Sequence, residues 1–168
     1  MFQVLVICTG NTCRSPMAEG ILRSLLPPEI ADRTRVASAG TGSLEGAPAT
    51  QLAIRTCAEH GIDISLHRSV GLNAGMLRES DLILGMEQSH VDRARELAPE
   101  SEDRVHLITN RGAAPGGMTQ NGVMDPLGGS ADQYRDTFNR IRSHLVEWVP
   151  VIREAVERRE GAKRIGEP

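Results

Sequence analysis

The sequence predicts an α/β protein of three layers, in which a four-stranded parallel sheet carries helices on both faces. Three observations predict this fold. Four short apolar segments alternate along the chain with segments of helical periodicity. The first of them, residues 3–7, lacks the polar alternation of a half-exposed strand, which indicates burial on both faces. Alternating strands and helices are typical of a parallel sheet with crossover helices.

The predicted elements follow one another along the whole chain. The strands span 3–7, 35–39, 80–86 and 105–108. The first helix is predicted to begin after Ser15, and further helices span 49–60 and 88–97. A last helix carries apolar residues at steps of three and four from Tyr134 to Val156, which gives it one buried face.

Capping and helix-breaking residues set the expected helix boundaries. Ser15 is a natural N-cap for the first helix, with Pro16 at the first helical position. Asp132 is the expected N-cap of the last helix. Pro150 should kink or interrupt that helix, because its ring removes an interior hydrogen bond.

The length of 168 residues fits one domain with a sizeable core. We expect residues 1–160 to form this domain and residues 161–168 to form a flexible tail. The glycine-rich stretch 111–122 indicates a surface loop.

Composition excludes several classes of function. A net charge of -3 provides no basic field for nucleic acid. Lys163 is the only lysine, which excludes a pyridoxal Schiff base or a Walker-type kinase site. No apolar run is long enough to span a membrane or to form a signal-peptide core. An odd number of cysteines, three, indicates reduced thiols, so we expect a cytoplasmic protein.

The chemistry is predicted to lie in the loop that runs from Cys8 to Ser15, Cys-Thr-Gly-Asn-Thr-Cys-Arg-Ser. This loop joins the carboxyl end of the first strand to a helix N-terminus, where backbone N–H groups and the helix dipole favour an anion. Gly10 permits the torsions of a nest of amides, and Asn11 tolerates a left-handed conformation. Arg14 can donate to two phosphate oxygens. The loop is therefore a candidate phosphate-binding loop.

Cys8 is the candidate nucleophile of this loop. Inward-pointing amides and the Arg14 guanidinium should hold the pKa of its thiol well below the ordinary value. Ser15 can donate a hydroxyl hydrogen to the resulting thiolate. A buried cysteine at a strand end is common by itself, but the spacing Cys-x5-Arg-Ser between strand and helix points to phosphoryl transfer.

Asp125 is the candidate acid that would protonate the leaving group. It lies with Pro126 on a glycine-rich loop before the last helix, the usual setting of a mobile flap. Asp125 would otherwise simply initiate a turn.

These two segments together resemble the low-molecular-weight protein phosphatase family. The likeness also covers Ser-Ala-Gly-Thr at 38–41 and Ser-Asp-Leu-Ile-Leu-Gly-Met at 80–86, so it spans nearly the whole chain. It implies a phosphorylated protein as substrate, a phosphocysteine intermediate, no metal and no cofactor. Cys8 would attack, Arg14 would hold the phosphoryl oxygens, and Asp125 would first donate a proton and then activate water. We expect a monomer.

The resemblance also implies roles for the remaining residues of the site. It places the phosphoryl group against a set of loop residues: Thr9, Gly10, Asn11, Thr12, Cys13 and Ser15. Asn11, Ser38 and His67 resemble a network that braces the loop, as a site needs such support. Ser38 would otherwise be a strand-end hydroxyl and His67 a surface histidine. Cys13 either forms a disulfide with Cys8 on oxidation or packs as a small residue beneath the loop.

At two places this sequence differs from phosphotyrosine enzymes of the family in a way that bears on the substrate. Phosphotyrosine enzymes of this family usually carry aromatic residues after the Asp-Pro pair and after the second strand, and neither place holds one here. Thr12 stands where many of them carry isoleucine. The pattern Thr-Gly-Asn-Thr together with Asp-Pro-x-Gly-Gly-Ser resembles the bacterial protein arginine phosphatase branch, although that branch tends to have phenylalanine at the position of Leu127. Phosphoarginine is therefore the favoured substrate.

Three alternatives remain open. The first is a tyrosine phosphatase with the same mechanism. The second is a thiol-dependent arsenate reductase, which needs a cysteine relay that only Cys57 could extend outside the loop. The third is a non-catalytic phosphopeptide-binding module, which would need neither Cys8 nor Asp125.

Overall fold

The computed structural model of the protein describes residues 1–110 and 122–165. Over these residues the chain forms the predicted parallel sheet, with four strands in the order β2-β1-β3-β4. The strands are β1 Phe2–Cys8, β2 Thr34–Gly40, β3 Leu82–Gly85 and β4 Val105–Leu107. The predicted α/β architecture is thus confirmed, and the third strand is shorter than expected.

The described helices are α1 Arg14–Leu25, α2 Pro28–Ala31, α3 Gln51–Ala58, α4 Ala74–Glu79, α5 Gln88–Leu97 and α6 Ala131–Ile165. A 3-10 helix, Pro99–Arg104, precedes β4. The sequence did not predict α2, α4 or the 3-10 helix. Each is at most six residues long, too short to display a helical period.

Alternate side chains of β1 enter cores on opposite faces of the sheet. Val4, Val6 and Cys8 pack against apolar side chains of α1, α3 and α6. Leu5 and Ile7 pack against those of α4 and α5. Burial on both faces explains why β1 is apolar without alternation.

Two predicted N-caps are wrong. The N-cap of α1 is Cys13. Ser15 lies inside the first turn, and its hydroxyl contacts Cys8 and Asn11 instead of a first-turn N–H. α6 begins at Ala131 and is capped by Ser130, whose Oγ accepts from the Gln133 N–H at 3.3 Å. The Gln133 side chain accepts from the Ser130 N–H at 2.7 Å, so the pair forms a capping box.

Helix α6 continues through Pro150 and is not interrupted there. Buried residues on both sides of the proline, Trp148 and Ile152 among them, hold the two halves against the same core. The helix also includes residues 161–165, the first part of the predicted tail, whereas 166–168 lie outside the described residues. The predicted surface loop 111–122 lies outside them as well, except for Gly122.

The capping box gives a test of the α6 boundary. Ser130→Ala should lower the free energy of unfolding by about 1 kcal/mol, because it leaves a first-turn N–H without its acceptor. Asp132→Ala should cost less, because Asp132 contributes an exposed ion pair with Arg135 and a first-turn charge but no cap. Urea unfolding of the two variants measures the difference, and a larger loss for Asp132→Ala would restore Asp132 as the cap.

Candidate active site

Cys8 ends β1, and a short loop joins it to α1. Two backbone hydrogen bonds tie this loop to the segment after β2. The Thr41 N–H donates to Cys8 O at 2.9 Å, and the Gly42 N–H donates to Thr9 O at 3.0 Å. Glycine is needed at position 40 because a Cβ there would lie 2.6 Å from Thr9 O. The loop therefore lies at the carboxyl edge of the sheet, as predicted.

Asn11 is the structural centre of the loop. Its φ of 53° places it in the left-handed region, so positive φ falls on Asn11 and not on Gly10. Its Oδ1 accepts from the Val70 N–H at 2.8 Å, and its carbonyl oxygen accepts from His67 Nε2 at 2.7 Å. Its Nδ2 donates to Ser38 Oγ at 2.9 Å. The three predicted bracing residues are thus in direct contact.

The hydrogen bonds around Asn11 have a fixed direction. Ser38 donates its hydroxyl hydrogen to Glu19 Oε2 at 2.5 Å, so its oxygen is free to accept from Asn11. Asn11 Nδ2 also donates to Ser15 Oγ at 2.8 Å. The Ser15 hydrogen is then available to Cys8 Sγ, 2.9 Å away. Ser15 is therefore oriented as a donor to the sulfur, the role predicted for it.

Arg14 is buried beneath the loop, with 1% of its surface exposed. Its Nη1 donates to the Glu87 carboxylate and to Val123 O at 2.9 Å, and its Nη2 donates to Asp125 Oδ2 at 2.7 Å. Asp125 is thereby brought to the loop from a distant segment. The buried Nε has no hydrogen-bond partner within the described parts of the chain, so it remains a donor for a phosphoryl oxygen.

The predicted depression of the Cys8 pKa is wrong for this arrangement. Burial raises the pKa of the thiol, and this effect outweighs the opposing effects of the Ser15 hydroxyl, the Arg14 charge and the Asn11 N–H. The prediction counted the charge and the donors around the thiol but not the cost of burying a thiolate. Glu87 and Asp125 pair with the Arg14 guanidinium, so we expect its effect on the thiol to be weaker than that of an unpaired cation.

Thr12 and Cys13 complete the loop. Thr12 is partly exposed, and its carbonyl oxygen accepts from the Thr50 N–H at 2.9 Å. Cys13 Sγ lies 3.2 Å from Tyr134 Oη and 3.5 Å from Thr50 Oγ1. The sulfur of Cys13 therefore packs beneath the loop, and no disulfide joins it to Cys8 in this structure.

The sequence did not predict three residues that the structure places at the site: Glu19, Glu87 and His90. Glu19 lies on α1 behind Ser38, and His90 Nε2 lies 2.9 Å from Thr9 Oγ1. Glu87 and His90 follow β3 at its carboxyl end, the same edge of the sheet as the loop. Their position in the sequence, directly after a predicted strand, could have indicated Glu87 and His90, because ligands of parallel sheets bind at this edge.

No helix within the described residues is long and apolar enough to cross a membrane. The same residues hold no group of three or more His, Cys, Asp or Glu side chains that could bind a metal ion.

A thiol at the end of a strand, a buried arginine and an aspartate across the loop form a candidate site for a cysteine-dependent phosphatase. The family of low molecular weight phosphotyrosine protein phosphatases matches residues 3–160. The chain belongs to this family, and it is a hydrolase of phosphorylated protein side chains.

Curated relatives and solved structures agree with this assignment. The chain is 35% identical over 150 residues to a probable low molecular weight protein-tyrosine-phosphatase, EpsP of Ralstonia nicotianae, covering 89% of this chain and 95% of EpsP. A YwlE mutant from Bacillus subtilis superposes with a TM-score of 0.79 at 28% identity, covering 91% of this chain and 99% of that one. A second YwlE structure is described as an arginine phosphatase with a phosphorylated active-site serine. It superposes with a TM-score of 0.79 at 28% identity, covering 90% of this chain and 96% of that one.

The carboxylates around Arg14 yield a test. Glu87→Gln should lower the pKa of Cys8, because it removes a negative charge that offsets the guanidinium. Alkylation of Cys8 by iodoacetamide at pH 7 should accelerate about three- to tenfold, since a tenfold change in thiolate needs only about 1.4 kcal/mol. Glu96→Gln, on the same helix and paired with Arg93 at the surface, is the matched control. An unchanged rate in Glu87→Gln would show that the carboxylate does not offset Arg14.

Proposed function

We propose that this phosphatase hydrolyses phosphoarginine in proteins through a phosphocysteine on Cys8. The observation that carries the phosphoryl chemistry is the convergence of Cys8, the buried Arg14 and Asp125 on one loop. The preference for phosphoarginine is supported by the polar Thr12 in that loop and by the lack of an aromatic residue directly after Asp125 and Pro126 in the sequence.

The reaction proceeds in two displacements. Loop amides and Arg14 bind the phosphoryl oxygens, and this binding competes with the carboxylates that Arg14 now contacts. Cys8 Sγ attacks phosphorus as a thiolate while the bond from phosphorus to the arginine nitrogen breaks. Asp125 donates its proton to that nitrogen, so that arginine departs as its stable guanidinium cation.

The second displacement regenerates the enzyme. Asp125, now a carboxylate, takes a proton from water, and the oxygen attacks the phosphorus of the phosphocysteine. The sulfur–phosphorus bond breaks, inorganic phosphate forms and Cys8 leaves as a thiolate. Ser15 stabilises this leaving sulfur, because Asn11 orients its hydroxyl as a donor.

Thr12 supports phosphoarginine over phosphotyrosine. The nitrogen attached to phosphorus in phosphoarginine belongs to a polar guanidinium, and a threonine hydroxyl can accept a hydrogen bond from it. Isoleucine would leave this donor unpaired in a closing site. The exposed side chains at the neighbouring loops, Leu44 and Leu127, are aliphatic and offer no ring to stack on tyrosine. The YwlE structure described as an arginine phosphatase supports the same choice.

Phosphotyrosine is the second candidate substrate, and the 35% identity to EpsP favours it. Arsenate reduction is opposed by Cys57. This thiol is fully buried, and burial raises its pKa to about 12, so it is a poor member of a cysteine relay.

We also propose that residues 1–160 act as one domain in the cytoplasm. The family match over residues 3–160 and the shared core of α1, α3 and α6 support a single domain. Three free thiols suit a reducing compartment.

The acid role of Asp125 predicts a dependence on the leaving group. Asp125→Asn should slow turnover of phosphoarginine or phenyl phosphate on the order of 10²- to 10⁴-fold, because these leaving groups need a proton. The loss should shrink with p-nitrophenyl phosphate, whose leaving group departs unaided. Cys8→Ser should abolish turnover of all three substrates, and its residual rate is the background against which the Asp125→Asn rates are measured. Equal losses on activated and unactivated substrates would reduce Asp125 to a residue that positions Arg14.

Substrate choice is tested at Thr12. Thr12→Ile should lower kcat/KM on phosphoarginine peptides and preserve or raise it on phosphotyrosine peptides, since the hydroxyl acceptor is replaced by apolar surface. Thr12→Ser keeps the hydroxyl and should retain the phosphoarginine preference. A wild-type enzyme that prefers phosphotyrosine, or a parallel loss on both substrates in Thr12→Ile, would favour the tyrosine phosphatase assignment.

A further inference from the structure

His90 connects the two sides of the active-site loop. It lies in the first turn of α5 with 1% of its surface exposed. One ring nitrogen, Nε2, lies 2.9 Å from the hydroxyl oxygen of Thr9, the residue after the nucleophile. The other, Nδ1, lies 3.0 Å from the backbone nitrogen of Glu87. Glu87 in turn holds the Arg14 guanidinium through its carboxylate.

The partners of the ring determine its tautomer. A backbone N–H can only donate, so Nδ1 must accept from Glu87 and carries no hydrogen. The hydrogen of a neutral imidazole is then on Nε2, which donates to Thr9 Oγ1. An imidazolium would direct a second donor at the Glu87 N–H and break this contact.

We propose that His90, as the neutral Nε2–H tautomer, is a positioning residue for phosphoryl transfer that fixes Thr9 and Glu87 relative to each other. Thr9 begins the phosphate-binding loop, and Glu87 positions the arginine that completes it. One rigid ring thus sets the spacing between the start of the loop and Arg14. This inference rests on the phosphoryl chemistry proposed for Cys8 and adds a residue to it.

Burial keeps the ring of His90 neutral. Burial lowers the pKa of His90 to about 4, and the Arg14 cation adds to this effect, whereas Glu87 and Asp125 oppose it. The ring is therefore uncharged at neutral pH, as its two hydrogen bonds require. Nitrogen-15 NMR of the imidazole at pH 7 tests this directly, and we expect the shifts of an Nε2–H tautomer. Shifts of an Nδ1–H tautomer or of an imidazolium would overturn the proposal.

Two substitutions separate the contacts of the ring. In His90→Asn the side-chain oxygen can replace Nδ1 as acceptor for Glu87, but the side chain is too short to reach Thr9. In His90→Gln the amide nitrogen can reach Thr9 and donate to it. We expect His90→Asn to lower kcat/KM for p-nitrophenyl phosphate roughly tenfold, the effect of losing one well-placed hydrogen bond. His90→Gln should stay within about threefold of wild type, because it restores that bond.

Thr9→Val completes a double-mutant cycle. If His90 acts through the Thr9 hydroxyl, Thr9→Val should also lose roughly tenfold, and the double variant with His90→Asn should lose no more than either single variant. Inhibition by inorganic phosphate should weaken in parallel, because the same loop binds it. Melting temperatures of all variants show whether a loss arises from unfolding.

Three outcomes separate this inference from the proposed function. Multiplicative losses in the double variant would overturn it, as would wild-type kcat/KM in His90→Asn with only a lower melting temperature. Either result leaves the wild-type phosphatase activity, and hence the proposed function, intact. Failure of the wild-type enzyme to hydrolyse p-nitrophenyl phosphate would instead overturn both.

Discussion

The burial of Arg14 is the constraint on which the rest of the site depends. A guanidinium removed from water costs several kcal/mol unless charged and polar partners surround it. Its partners come from two segments far along the chain, Glu87 after β3 and Val123 with Asp125 before α6. Satisfying one buried cation therefore fixes α1, α5 and the Asp125 loop around the same point. In the proposed mechanism, the acid Asp125 is thus positioned by the same cation that would bind the phosphoryl group.

The same arrangement affects the ionisation of Cys8, the candidate nucleophile, through Arg14 on one side and Ser15 on the other. Burial raises the pKa of Cys8, and the carboxylates paired with Arg14 weaken the positive field that favours its thiolate. On the other side, Asn11 orients the Ser15 hydroxyl toward the sulfur as a donor. A phosphoryl group that competes with Glu87 and Asp125 for Arg14 shifts this balance. In the proposed mechanism, the thiol would thus be activated most when substrate is bound, and the resting thiol would undergo fewer side reactions.

Much of the fold and the loop could be predicted from local sequence. Buried strands are apolar runs, and the loop from Cys8 to Ser15 is contiguous, so its chemistry can be interpreted from neighbouring residues. Glu19 and His90 could not be found this way, because their roles arise only where α1 and α5 meet the loop. The Cys8 pKa was predicted in the wrong direction for a related reason. Local sequence showed the cation and the donors beside the thiol, but not the burial by distant parts of the chain that raises its pKa.

Selectivity between phosphotyrosine and phosphoarginine must arise from residues other than those that would bind the phosphoryl group. In the proposed mechanism, Cys8, Arg14 and the loop amides contact the phosphoryl group, which is the same in phosphotyrosine and phosphoarginine, so they would not distinguish the two. Discrimination falls to groups near the atom that bridges to phosphorus and to the mouth of the pocket. There the chain offers a threonine hydroxyl at Thr12 and the exposed aliphatic Leu127. A site that pairs a substrate donor rejects an analogue lacking it more strongly than an apolar pocket rejects an added polar group, so a single hydroxyl can change the preferred substrate without altering the catalytic residues.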